Sequence, residues 1–162
     1  MLKVRKAEAN EIEIIMSIYR SAQDFMIASG NPNQWGHNHP AKEQIIDDIA
    51  KGICHVIYDE AGICGVFALC IGKDPTYSYI EGGEWLKECE YVTIHRIASL
   101  GRAKGIFSCA VDYCKGFADS IRIDTHEENK VMQRHILSEG FKRCGIIYLE
   151  NGDPRIAYQW IK

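Results

Sequence analysis

A short segment in the second half of the chain combines two cationic side chains, a glycine and the start of an apolar helical pattern. It follows an apolar strand pattern that ends near Ala98, and it reads Arg102-Ala103-Lys104-Gly105-Ile106-Phe107. The first N–H groups of a helix have no partner inside the helix, and the helix dipole adds partial positive charge there. With two cations nearby and a glycine that permits close approach, such a turn would bind a pyrophosphate.

The segment lacks the signatures of two common classes of nucleotide-binding loop. It has neither the Gly-Lys-Ser/Thr ending of a Walker A motif nor the three glycines of the Rossmann fingerprint. The chain also shows no repeated βαβ pattern, so a dehydrogenase-like nucleotide-binding domain is excluded.

Three polar residues in the preceding strand pattern are candidates for proton transfer or substrate binding. His95 is the first choice as a general base, because a neutral imidazole can deprotonate an ammonium group at physiological pH. Glu90, at the entrance to the strand, is an alternative base. Arg96 alternates to the opposite face from His95, and either an ion pair or a substrate carboxylate would account for it, the ion pair more readily.

A loop early in the chain, residues 31–40, carries an unusual set of polar and aromatic side chains. Gln34 and Trp35 are candidates for shaping an acceptor site. His37 and His39 form a His-x-His pattern, but no carboxylate or cysteine lies nearby in the sequence. Because two ligands do not complete a metal site, we expect no metal here.

The pattern of elements needed to position these residues is β-α-α-β-β-β-α-β-α-β-β. A hairpin is predicted around residues 59–62, and a second one at Asn151-Gly152. A βαβ unit lies between them, with its helix starting around Lys104. Thr125 and Glu128 form a candidate capping box for the next helix. The order predicts a single α/β domain, residues 1–162, with a mixed sheet and helices on its faces.

The composition argues against some classes of binding partner and indicates a cellular compartment. The formal net charge of −3, without a long run of Lys or Arg, argues against a nucleic-acid or membrane surface. No apolar stretch approaches the roughly 20 residues of a membrane helix. Most of the seven cysteines lie in apolar runs, without a Cys-x-x-Cys pair, which is typical of reduced thiols in a cytoplasmic protein.

The phosphate-binding segment resembles the acetyl-CoA motif of the GNAT superfamily, Arg/Gln-x-x-Gly-x-Gly/Ala, in its strand–turn–helix context. Asn129, opening a helix that ends at Gly140-Phe141, resembles the downstream motif of that superfamily. The resemblance implies a mostly antiparallel twisted sheet of six to seven strands with about four helices. It also implies that the backbone of Ile97, Ala98 and Ser99 binds pantetheine, and that Asn129 and residues 102–107 complete the cofactor site.

By the same resemblance, the chain is expected to be an N-acetyltransferase that uses acetyl-CoA and no metal. Its acceptor would be a small-molecule amine or a peptide N-terminus, with Gln34, Trp35 and Arg96 in the acceptor site. Many members carry a tyrosine acid seven residues after Asn129, where this chain has Ile136. Tyr148 or a water molecule would then protonate the leaving group. A catalytically quiet CoA-binding sensor is the alternative function, and pairing into a homodimer is a further expectation.

Overall fold

Seven strands and four α-helices follow one another in the order that the sequence predicts, and the computed structural model describes all 162 residues. The helices are α1 Ile12–Ala28, α2 Lys42–Ala50, α3 Ile106–Cys114 and α4 Lys130–Ser138. The strands are β1 Lys3–Lys6, β2 Cys54–Asp59, β3 Gly62–Ile71, β4 Val92–Ser99, β5 Ser120–Thr125, β6 Lys142–Tyr148 and β7 Pro154–Ile161.

All seven strands form one sheet in the order β1-β2-β3-β4-β5-β7-β6. Every neighbouring pair is antiparallel except β4 and β5, which are joined through α3 and run parallel. The two predicted hairpins are present as β2–β3 and β6–β7. The mixed, mostly antiparallel sheet expected from the sequence is confirmed.

The helices cover both faces of the sheet because successive residues of a strand point to opposite sides. Val56 packs with the buried stripe of α1 in one cluster, whereas its neighbour Ile57 joins the larger cluster that contains α3. Ile136 of α4 is fully buried in that larger cluster. The sheet is therefore the middle of three layers over the part that concerns function.

Two helix starts differ from the prediction. The helix after β4 begins at Ile106 rather than Lys104, because Gly105 adopts φ +80° in the left-handed region and interrupts the helical path. Thr125 ends β5 instead of capping α4. The cap is Asn129, whose side-chain oxygen accepts a hydrogen bond from the Met132 N–H at 3.0 Å.

The long connection between β3 and β4, residues 72–91, is fixed to the sheet by aromatic and polar contacts. Arg122 of β5 lies under it, with its guanidinium carbon 4.0 Å from the centre of the Trp85 ring and 4.2 Å from that of Tyr91. The Trp85 indole donates to the Tyr77 carbonyl at 2.9 Å, and the Gln159 amide oxygen accepts from the Leu86 N–H at 2.8 Å. These contacts fasten the second half of the connection to β5 and β7.

Candidate active site

The parallel strands β4 and β5 separate soon after they meet. They pair only at Val92 with Ile121 and at Thr93 with Arg122. Beyond Thr93 the β4 backbone has no ladder partner on its β5 side, although β3 continues to pair with it on the other side. A wedge-shaped opening therefore lies at the centre of the sheet, bordered by unpaired backbone groups.

Unpartnered N–H groups gather at the turn that follows β4. None of the backbone N–H groups from Arg102 to Ser108 donates a hydrogen bond within the chain, and the first bonded one belongs to Cys109. A Cβ atom on Gly105 would meet nothing within 4 Å, so this surface is open. Consecutive free N–H groups at a helix N-terminus favour an anion such as a phosphate.

The two cations of this turn have different environments. The Arg102 guanidinium donates to both carboxylate oxygens of Asp59, at 2.8 and 2.7 Å, and to the Gly62 carbonyl at 2.8 Å. These contacts fasten the turn to the β2–β3 hairpin. Lys104 is exposed and forms no ion pair, so its ammonium group can reach a bound anion. The Phe107 side chain is buried in the core, and only its backbone faces the turn.

A histidine–carboxylate pair lies at the opening between β4 and β5. His95 Nε2 is 2.8 Å from Oδ2 of Asp74, which stands at the start of the β3–β4 connection. Although burial raises the pKa of Asp74, hydrogen bonds from His95 and Thr76 lower it to about 2. In the neutral imidazole, the tautomer with its proton on Nε2 donates to this carboxylate, and Nδ1 keeps its lone pair. The hydrogen bond with Asp74 therefore fixes the orientation of the His95 ring.

A bulge in β4 changes the side from which the next residue is presented. The register with β3 shifts between Ala98 and His95, and Arg96 has φ +50°, which is uncommon for a residue other than glycine. The Tyr19 hydroxyl donates to the Arg96 carbonyl at 2.7 Å and supports this conformation. The predicted strict alternation was wrong here, because Arg96 and His95 line the same cavity.

Arg96 is occupied by an ion pair within the fold. Its guanidinium contacts both oxygens of Asp48, at 2.8 and 3.1 Å, and Asp48 is 1% exposed. Of the two interpretations drawn from the sequence, an ion pair or a substrate carboxylate, the ion pair describes this side chain, which joins β4 to α2.

A cavity of about 520 Å³ extends from this opening to the loop between α1 and α2. His95, Gln34, Trp35 and Asn129 all line it. The Gln34 oxygen accepts hydrogen bonds from Asn31 at 2.8 Å and from Asn129 at 2.9 Å, which joins the loop to the α4 cap. The volume lies within the range of small-molecule binding sites.

Comparison with solved structures identifies similar proteins along the full length of the chain. An acetyltransferase of the GNAT family from Streptococcus agalactiae is 32% identical, with a TM-score of 0.90, and the match covers 99% of this chain and 95% of that one. The chain belongs to the GNAT family. Neither the protein-family models nor the curated proteins gave a match.

Two further GNAT structures share the fold at lower identity. One is an acetyltransferase from Bacillus cereus, at 22% identity and a TM-score of 0.64, covering 100% of this chain and 98% of that one. The other is a phosphinothricin acetyltransferase from Sinorhizobium meliloti in complex with AcCoA. It is 15% identical with a TM-score of 0.66, and the match covers 99% of this chain and 88% of that one. The expected GNAT-like fold is confirmed by these comparisons.

This GNAT chain brings the predicted cofactor residues together along one path. Ile97, Ala98 and Ser99 lie where β4 has no partner on its β5 side, and the Arg102–Phe107 turn follows directly. Asn129 lies on the opposite side of the opening, at the start of α4.

Two of the predicted catalytic residues are placed apart from His95. Glu90 is exposed and lies beside Lys115 and Lys162 in a separate depression, at the end of β4 away from the opening. Tyr148 does not line the cavity, and its hydroxyl donates to the Glu81 carboxylate. Neither side chain reaches the site in this structure.

Four polar side chains that line or border the cavity were not predicted as site residues. Asp74 partners His95, the Tyr77 hydroxyl donates to Asp124 Oδ2 at 2.7 Å, and Arg155 comes from the start of β7. Burial raises the pKa of Asp124 above its ordinary value of 3.8. Asp74 precedes Pro75 and caps a short 3-10 turn, so its local pattern indicated only a cap.

The structure has neither a metal-binding cluster nor a membrane-spanning helix. No group of three or more His, Cys, Asp or Glu side chains is arranged to hold a metal ion. None of the helices combines the length and apolar character that crossing a membrane requires.

Proposed function

We propose that this GNAT chain transfers the acetyl group of acetyl-CoA to a primary amine of a small molecule or peptide by direct attack in a ternary complex. The observation that supports the proposal most directly is the row of free N–H groups from Arg102 to Ser108, beside the opening between β4 and β5. Acetyl-CoA would supply the acetyl group as a thioester.

The chain offers separate binding elements for two parts of this donor. The free N–H groups of the turn and the Lys104 ammonium would bind the pyrophosphate. The side of β4 without a partner, from Ile97 to Ser99, would hydrogen-bond pantetheine in the manner of an added strand. Arg102 would contribute indirectly, because its contacts with Asp59 fix the turn.

His95 would prepare the acceptor for attack. An ammonium group has no lone pair, so the amine must lose a proton before it can react with a thioester. The Nδ1 atom of His95 is available for that proton because Nε2 is held by Asp74. Gln34 and Trp35 would form the wall against which the acceptor is positioned.

The departing sulfur also needs a proton, and no tyrosine lines the cavity. Ile136 is fully buried in the core, and the Tyr148 hydroxyl is bonded to Glu81. We therefore assign this protonation to a water molecule. The same observation favours a second candidate, a CoA-binding sensor domain without turnover.

Isothermal titration with acetyl-CoA tests the donor site. We expect the wild type to bind and the Lys104→Glu, Gly105→Asp double variant to bind about tenfold more weakly or worse, since two carboxylates would face the phosphates. Lys142→Glu, an exposed charge reversal on β6, is the matched control. No binding by the wild type would contradict the proposal.

A screen of primary amines with acetyl-CoA separates the two candidates. Formation of an N-acetylated product by the wild type supports the transferase. Binding of acetyl-CoA without any product across the screen supports the sensor.

A further inference from the structure

Arg155, at the start of β7, is buried and lines the cavity without a carboxylate partner. The residue is 7% exposed. Its one hydrogen bond runs from Nη1 to the Pro154 carbonyl at 2.9 Å, and no carboxylate oxygen lies within 4.0 Å of its guanidinium nitrogens. Its other two nitrogens form no hydrogen bond within the chain and remain accessible, so they are free to donate to an anion in the cavity.

The other arginine of the cavity is not free in this way, because Arg96 is bound on two atoms by the buried Asp48. The remaining buried arginine, Arg122, is stacked between two aromatic rings outside the cavity. Arg155 is thus the one guanidinium in the cavity whose hydrogen-bonding groups are free for a ligand.

The register of the sheet places Arg155 on the same face as the proton-transfer groups. Asp124 pairs with Ala157, and Arg155 is two positions before Ala157, so the two charged side chains share a face. Thr93 pairs with Arg122, and two positions further along each strand are His95 and Asp124. A row from β4 through β5 to β7 therefore presents a base, a carboxylate and a free cation.

On the basis of the proposed acetyl transfer, we infer that the acceptor is a small amine that carries a carboxylate, with Arg155 as the group that binds this carboxylate. Its amino group lies by His95 and its carboxylate by Arg155, with Asp124 between them. The planar guanidinium matches a carboxylate with two parallel hydrogen bonds. The neighbouring Asp124 disfavours a more highly charged anion at the same place.

Pairs of acceptors that differ only in the carboxylate provide the test. The nineteen protein amino acids with a primary α-amine, a series of ω-amino acids with two to six carbons between the amine and the carboxylate, and the corresponding carboxamides are each incubated with acetyl-CoA, and the N-acetylated product is quantified by mass spectrometry. We expect at least one acid to be used with a kcat/KM about 100-fold above that of its amide, because the amide leaves the guanidinium unpaired. Equal or better use of the amides, or no reaction with any acid, would overturn the inference.

Variants of Arg155 assign the preference to this side chain. In Arg155→Gln, we expect the KM for the preferred acid to rise about 100-fold. For the amide, both kcat and KM should stay near the wild-type values. Arg155→Lys keeps the charge and is expected to recover part of the loss. Arg143→Gln, an exposed arginine on the adjacent strand β6, is the control. Equal losses for acid and amide would show a structural role only.

Titration with acetyl-CoA on the same preparations separates two kinds of failure. If the wild type binds no acetyl-CoA, the proposed function fails and the inference fails with it. If acetyl-CoA binds and amines are acetylated without preference for a carboxylate, the inference alone fails. Retained acetyl-CoA binding by the Arg155 variants shows that they are folded.

Discussion

His95 and Asp74 form a hydrogen-bonded pair, with Nε2 2.8 Å from Oδ2, although they are 21 positions apart in the sequence. Asp74 is positioned by the β3–β4 connection, which Arg122, Trp85 and Gln159 fasten to the sheet. A carboxylate that fixes the tautomer and the orientation of an imidazole is a recurrent arrangement for general bases. The packing of a long loop therefore determines the orientation of the imidazole that we propose as the general base.

Removing the imidazole should abolish most of the catalysis without affecting donor binding. We expect His95→Gln to lower kcat/KM about 100-fold or more, because a positioned base contributes on that order. Asp74→Asn should lower it by a smaller factor, since the imidazole remains but its orientation is lost. Steady-state kinetics and acetyl-CoA titration check both variants, with the exposed His37→Gln as control. Wild-type kinetics in His95→Gln would rule out this base.

Asp74 should also make stability sensitive to acid. Its folded-state pKa of about 2 lies below the ordinary 3.8, so its ionised form stabilises the fold above pH 3.8, and this contribution disappears as the pH falls toward 2. The shift corresponds to a contribution on the order of 2 kcal/mol. Urea unfolding across this range should show a smaller loss in Asp74→Asn than in the wild type. If the free energy of unfolding depended on pH in Asp74→Asn as it does in the wild type, the prediction would be contradicted. The exposed Asp24→Asn serves as control.

The Asp48–Arg96 pair should matter for stability because one partner is fully buried. Asp48→Asn leaves the Arg96 guanidinium without its counter-charge, and we expect a loss of about 3 kcal/mol in the free energy of unfolding. The neighbouring Asp47→Asn is the matched control, since Asp47 forms an exposed pair with Lys51 and should cost less than about 1 kcal/mol. Chemical denaturation measures both, and equal effects would refute the assignment.

Tyr148→Phe should leave turnover almost unchanged. The hydroxyl donates to Glu81 and does not line the cavity, so its removal should not affect protonation of the leaving group. The measurement is kcat with saturating acetyl-CoA and a reactive amine. A fall of about 100-fold would instead identify Tyr148 as the general acid.

Local patterns in the sequence were sufficient for the element order and for the turn and helix start after β4. Alternating apolar residues indicated the strands, and the turn signal at Asn151-Gly152 indicated the β6–β7 hairpin, because both depend on near neighbours. The free N–H groups around Gly105 follow from a helix start, which is likewise a local property. The start of α3 shifted to Ile106, because the left-handed conformation of Gly105 is not visible in periodicity, and the cap of α4 was Asn129 rather than Thr125.

The acceptor side of the site depended on tertiary structure. Strict alternation placed Arg96 on the face opposite His95, but a bulge supported by Tyr19 brings both to one cavity. Asp74 and Arg155 come from segments on either side of β4 and β5 in the sequence, and their positions depend on sheet register and loop packing. The sequence by itself thus determined the fold class and the helix start with its free N–H groups, since neighbouring residues specify them. Only the tertiary structure decided which charges remain unpaired around the acceptor, since pairing depends on distances between remote segments.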